Sequence, residues 1–453
     1  MRTALVVAAV LTTLPRLVAA APPIDVAPSS RDVAKAIDAF LGPAEAPALA
    51  APAEAVGGFD GGFWLAGGGR RLLANLTLQA RYEAFLVRSR DARPRPGGQL
   101  SGFSLPRATL RLATESTCDV RGFLALEFGH PGDWFDNSVS ATSFAADLAS
   151  GAVPDLGAPN AAAPVDFGVC REAWVELGTD PAFACRVGYV GTPATRQLMA
   201  APEQQLFVDV ALATSFCGTF LPGYSDRPSD YGLLLRGDVL ARRNLSYVVT
   251  VTNGDSSVRR NVLDGGTDDT LSFGARLDAD VVGAVGYDER TRDDAPLAVS
   301  VGAWAQAYDQ RTERPTLRFA DRLAGGVDAA VVWRQLAATA AFNLVRFDRS
   351  EVGADLEGRS WLVQVGWRPC GSAFELGVRA DGYTLDADAG RFGATEVGVV
   401  VARSLGTASR VALDASFVRS LRDGNGQGDV YAGYLPTGRS DATLLRFQWE
   451  LVL

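Results

Sequence analysis

Between residues 71 and 88, RLLANLTLQARYEAFLVR, apolar and polar side chains alternate one for one. Leu72, Ala74, Leu76, Leu78, Ala80, Tyr82, Ala84 and Leu86 fall on one parity, and Arg71, Asn75, Thr77, Gln79, Arg81 and Glu83 on the other. A period of two belongs to a β-strand with one face in an apolar medium and the other in water. Strands of soluble sandwiches run ~5–6 residues, whereas a tilted bilayer crossing takes ~9–11. The length of this stretch therefore predicts a membrane-spanning strand.

The alternation returns along the chain. Residues 103–115 and 120–128 repeat it on either side of a turn at 116–119, which predicts a hairpin. Short strands follow at 170–178 and 184–191. A meander then runs through 233–239, 245–251, 271–281, 299–305, 327–331, a nearly all-apolar stretch at 336–347, 361–367, 374–380, 395–401, 411–417 and 445–453. The connections are mostly tight on one side (116–119, 178–183, 241–244, 334–336, 369–372, 405–409) and longer on the other (89–102, 129–169, 192–229, 253–269, 309–322, 348–358, 421–440). An even strand number with short turns at one end and long loops at the other is the pattern of an outer-membrane barrel. The connection 283–296 breaks the rule, since parity assigns it to the tight side although it is long. The expected fold is all-β: a closed transmembrane antiparallel β-barrel of about 16 strands over residues 58–453.

Composition narrows the picture. Mean hydropathy is only +0.07, and past the N-terminus no run approaches the ~20 apolar residues of a helical span, so a polytopic helical membrane protein is excluded. Residues 1–20 carry Arg2, an apolar stretch and small residues at Val18, Ala19 and Ala20, the pattern of a secretory signal peptide. Residues 21–57 are Ala/Pro-rich around one short helical piece, RDVAKAIDAFL, and read as a periplasmic extension. The net charge of −9 argues against a nucleic-acid partner. Lys35 is the sole lysine, so the positive charge is carried by arginine; a GC-rich genome produces the same bias without any function.

Candidate chemistry is sparse. A Ser/His or Cys/His hydrolase needs a histidine base, and His130, beside Pro131 in a loop, is the only one. Asp133, Asp136 and Asn137 match no calcium-loop spacing. The five cysteines lack C-x-x-C pairing. No catalytic residue, metal or cofactor is expected. Cys170 and Cys217 both fall at the outer side of this topology and are candidates for a disulfide that pins the 192–229 loop; two free thiols are the alternative.

Several stretches together resemble the phosphate-selective porin O/P family of outer-membrane channels: LTLQARYEAF (76–85), FSLPRATLRL (103–112), RVGYVGTP (186–193), DYGLLLRGDVLARRNLSYVVTVTNGD (230–255), SWLVQVGW (360–367), FELGVRADGY (374–383) and LLRFQWEL (444–451). The resemblance implies a homotrimer of sixteen-stranded barrels whose third outer loop, here 192–229, folds inward. The chain departs from that pattern by ending in Leu453 instead of an aromatic residue, with Phe447 and Trp449 nearby.

If the apolar parity meets lipid, the other lines the pore. Arg81, Arg107, Arg111, Arg121, Arg236, Arg276 and Arg379 are then pore-lining candidates, joined by Arg196 in the inward loop. Acidic residues share that parity, among them Glu83, Glu115 and Glu127, so the arginines either form a basic stripe or stiffen the wall as salt bridges, the latter being favoured. The expected protein is an outer-membrane porin passing small hydrophilic solutes, with anions such as phosphate among them. The rivals are a plugged barrel acting as adhesin or structural protein, and a soluble β-protein, which would need a repeat that the sequence lacks.

Overall fold

The computed structural model describes the strands, several of the tight turns and most of residues 192–291. Residues 1–55, 90–99, 129–168, 255–270, 310–320, 348–355 and 424–439, with shorter breaks elsewhere, lie outside the described residues. The expected signal peptide, nearly all of the Ala/Pro-rich extension, Cys118 and His130 fall there.

The chain enters through a small hairpin, β1 (Val56–Phe59) and β2 (Phe63–Gly67). The wall begins with β3 (Arg70–Ser89), β4 (Leu100–Ser116), β5 (Val120–Glu127), β6 (Val169–Asp180) and β7 (Phe183–Gly191). A two-residue strand, β8 (Gly223–Tyr224), belongs to the following loop. The wall resumes with β9 (Arg227–Asp238), β10 (Leu245–Thr252), β11 (Ser272–Val282), β12 (Ala295–Asp309), β13 (Asp321–Arg334) and β14 (Leu336–Phe347). It ends with β15 (Leu356–Trp367), β16 (Phe374–Ala387), β17 (Gly390–Ser404), β18 (Ser409–Asp423) and β19 (Ser440–Val452).

Each wall strand pairs antiparallel with its neighbour, β7 with β9 across the loop, and β19 closes on β3 from Ser440↔Ser89 to Val452↔Thr77. The result is a closed barrel of sixteen strands. Leu453 continues the closure by exchanging backbone hydrogen bonds with Leu76 at 2.7 and 2.8 Å. Just beyond it, β2 pairs with β3 from Phe63↔Ala74 to Gly67↔Arg70, so the hairpin covers the stretch of β3 that β19 leaves bare.

The two parities separate as the pattern requires. Leu323, Val327, Val331, Val363, Val365, Val397, Val399, Leu413, Leu445 and Phe447 are exposed on the outside. Their neighbours Asp328, Gln364, Glu396, Asp414 and Arg446 are buried within. Trp333, Trp367, Phe374 and Trp449 face outward near the tight-turn end, where an aromatic girdle meets the lipid interface. No helix of the described residues is long and apolar enough to cross a membrane; the strands make the crossing.

Candidate functional site: the lumen and its inward loop

The loop after β7 turns into the barrel. It contains α1 (Arg196–Met199), a 3-10 turn at Pro202–Gln204 and α2 (Leu212–Thr219), and nearly every residue from Thr192 to Cys217 is buried. Four short pieces of polar chain cross the lumen there, and each is met by inward side chains of the wall.

At the first, Asp328 of β13 accepts the backbone N–H of Arg196 (3.0 Å) and its Nε (3.3 Å). The same carboxylate accepts both terminal nitrogens of Arg276 from β11, at 2.8 and 2.9 Å. Arg276 also reaches Asp278 and the carbonyl of Ala194, and Arg196 reaches Ser300 at 2.8 Å. The cluster fits because Gly302 has no side chain: a Cβ there would stand 2.3 Å from Arg276 Nη2 and 2.7 Å from carboxylate oxygens of Asp278 and Asp328.

At the second, Arg111 of β4 grips Glu203 with both terminal nitrogens. At the third, Arg410 of β18 donates to the carbonyls of Gln205 (3.1 Å) and Leu206 (2.6 Å). At the fourth, Asp209 accepts Arg81 at 2.8 and 3.2 Å and Arg446 at 3.1 Å, while Arg379 donates to the Asp209 carbonyl at 2.8 Å. Burial alone would raise the Asp209 carboxyl; the Arg81 and Arg446 guanidiniums overcome it and hold the group below the ordinary carboxylate value. Apolar contacts complete the seat. Leu206, Phe207 and Val208 pack on Val400, Ala402 and Ala412, and Phe216 of α2 stacks on Tyr383 with ring centroids 4.4 Å apart.

A different arrangement occupies β5, β6, β7 and β9. Glu176 accepts Arg236 at 2.6 and 2.8 Å and Arg186 at 2.7 Å, with Arg121 at 3.9 Å. The Arg186 guanidinium carbon lies over the Trp174 ring, 3.8 Å from its centroid. Water reaches these three arginine side chains, which are 30%, 14% and 13% exposed for Arg121, Arg186 and Arg236. Those that hold the loop are 0% to 3% exposed at Arg276, Arg379, Arg111 and Arg196.

All eight arginines expected to line the pore thus belong to the inner face or the inward loop, but in two populations. Arg81, Arg111, Arg196, Arg276 and Arg379 fasten the loop. Arg121 and Arg236 surround Glu176, and Arg107, paired with Gln79 in the β3–β4 register, acts on Asp209 from farther off. Of the wall pairs anticipated, Arg81–Glu83 forms at 3.0 Å and Arg121–Glu115 at 3.7 Å. Glu127 accepts the Thr109 hydroxyl and the Ala108 N–H. Arg186, Arg410 and Arg446 lie on the same inward parity, Arg410 sharing it with Asp414, and the alternation alone does not single them out from the other inward arginines.

The disulfide expectation is corrected. Cys170 and Cys217 are both free thiols, as are Cys185 and Cys370. Cys217 sits on α2, which packs against β15 and β16, whereas Cys170 is on β6, eight strands away around the wall from β15. A bridge needs Cα atoms within ~7 Å, and the two lie on opposite sides of the barrel. Burial pushes the Cys217 thiol up to about 12. Among the described residues no cluster of His, Cys, Asp and Glu is arranged to hold a metal ion.

Neither a protein-family model nor a curated protein matches the chain. Solved structures do. An anion-selective porin from Comamonas acidovorans superposes with a TM-score of 0.55 at 13% identity, covering 85% of this chain and 100% of that one. OmpT of Vibrio cholerae, expressed in the outer membrane, gives 0.51 at 8% identity, covering 85% and 98%. At such identities the likeness is one of fold. A closed sixteen-stranded wall, greasy outside and charged inside, defines an outer-membrane β-barrel. Its fold is that of the porins.

Proposed function

We propose that the protein is a porin, a passive diffusion channel for small hydrophilic solutes that performs no chemistry. The observation that carries this reading is the contrast inside the barrel. The inward loop fills its own sector with neutralised ion pairs, while the guanidiniums of Arg121, Arg186 and Arg236 remain in contact with water around Glu176, with Glu115 beside Arg121. A solute moving beside β5–β9 meets charge there. Anions, phosphate among them, are the favoured class, in keeping with the sequence resemblance to the phosphate-selective porin O/P family, and a homotrimer is the favoured assembly.

The test is conductance of the purified protein in planar bilayers, with reversal potentials in a salt gradient. Anion preference that falls in Arg121→Ala and Arg236→Ala supports the reading. Arg196→Ala, whose guanidinium holds Asp328, is expected to alter channel size and noise more than charge preference. A second reading, a plugged barrel serving as adhesin or structural protein, is favoured by the dense burial of residues 192–217. A folded protein that never opens in the bilayer would support it.

A further inference from the structure

The connection between β11 and β12, long although its parity assigns it to the tight-turn side, enters the barrel. Gly283 and Gly286 adopt φ of +57° and +66°, in the left-handed region, and bend the chain inward. Between them Val285 is buried against Ala298, Ala330, Val332 and Ala337 on the inner face of β12, β13 and β14. From that footing the chain crosses the lumen. The Gly286 carbonyl accepts Arg196 of the inward loop. The Tyr287 hydroxyl donates to Asp278 at 2.7 Å and accepts Arg276 at 3.2 Å, adding to the cluster that seats α1.

Glu289 is the central contact. Its N–H donates to the Gln204 carbonyl at 3.0 Å, and its buried carboxylate accepts Gln197 Nε2 at 3.3 Å and the Leu206 N–H at 3.4 Å. Thr291 then donates its N–H (2.6 Å) and hydroxyl (2.7 Å) to Glu375 on β16. Glu375 in turn holds Arg410, which grips the Gln205 and Leu206 carbonyls. The segment is a chord from β11 to β16 that touches the loop at Arg196, Gln197, Gln204 and Leu206, from the side opposite the loop's own entry.

We propose that residues 283–291 are a periplasmic strap that fixes the inward loop across the lumen, so that the opening is set from the periplasmic end as well as by the loop itself. This rests on the channel reading above, and the test separates the two. Two variants of the full chain serve: one in which residues 284–292 are replaced by a two-residue Asn-Gly turn, and the gentler double substitution Glu289→Ala with Thr291→Ala, which keeps the backbone length. Amide exchange reads the loop, and bilayer conductance reads the opening.

The expected result is exchange at residues 196–206 faster by roughly tenfold or more, with wall strands unchanged, and conductance several-fold above that of the parent chain. Unchanged exchange in a folded double variant overturns the strap. Faster exchange with unaltered conductance in a channel that does open also overturns it, since the strap then holds the loop without setting the opening. Faster exchange in proteins that never conduct leaves the strap's hold on the loop supported and sinks the channel reading instead.

Discussion

Arginines line both halves of this barrel, yet they meet different company. On β11, β16 and β19, Arg276, Arg379 and Arg446 each find a carboxylate on their own or an adjacent strand (Asp278, Asp381 and Asp414, at 2.6, 3.3 and 3.2 Å) and then a group on the inward loop. On β5, β7 and β9, Arg121, Arg186 and Arg236 share Glu176, and water reaches all three. The first set is spent on holding chain; the second is left facing the lumen. The same residue type on the same parity is a fastener where the inward loop covers it and a candidate selector where, among the described residues, that loop does not reach it. Buried ion pairs of the first kind are costly to break, because the remaining partner keeps its charge out of water.

That comparison is tested most severely at Asp328. Asp328→Ala removes the acceptor shared by Arg196 and Arg276 and leaves two buried guanidiniums, at an expected cost of ~3–5 kcal/mol. Urea unfolding of the refolded barrel measures it, and amide exchange at residues 192–200 should rise in step. A loss below ~1 kcal/mol would show that the cluster is not what seats the loop.

Acid should act next, through Asp209. Its carboxyl is held below the ordinary value of 3.8 in the folded protein, so its contribution is present above that value and lost as pH falls through the lowered one. The protection of the loop amides, after allowance for the intrinsic pH dependence of exchange, is therefore expected to be flat from neutral pH down to about 4 as far as this residue governs it. Asp209→Asn should remove whatever acid-dependent loosening appears at residues 206–211 below that point.

A subtler change is expected at Glu176. Glu176→Gln leaves Arg121, Arg186 and Arg236 with less compensation and should move the anion-to-cation permeability ratio upward by roughly twofold to threefold. Loop exchange should not follow. If the reversal potential stays where it was, these three arginines do not line the passage.

The smallest effect belongs to Arg391. It pairs with Asp386 at 2.6 Å, but both side chains are exposed, at 59% and 38%. Arg391→Ala should alter stability by ~0–1 kcal/mol in the same urea assay, against the several kcal/mol expected at Asp328.

The strand count, the closure and the sorting of greasy from charged faces were legible in the chain, because alternation is a local signal that each strand carries by itself. The nearly all-apolar stretch 336–347 is the instructive exception. It coincides with β14, but its alternation is of size, with Phe342 and Leu344 outside and Ala337, Ala341 and Val345 within. The strap left a trace as well, in a connection too long for its side and in Gly283 and Gly286.

What the sequence determined unaided is therefore the wall: period two, sixteen times, with one face for lipid. Partnership inside the wall was decided only by the tertiary structure. Arg111 meets Glu203 across 92 positions and Arg446 meets Asp209 across 237, and Cys170 fails to meet Cys217 because they settle on opposite sides. Such meetings depend on the path the loop takes through the lumen. That path is chosen by the joint fit of charge and shape among many strands, which no local period encodes.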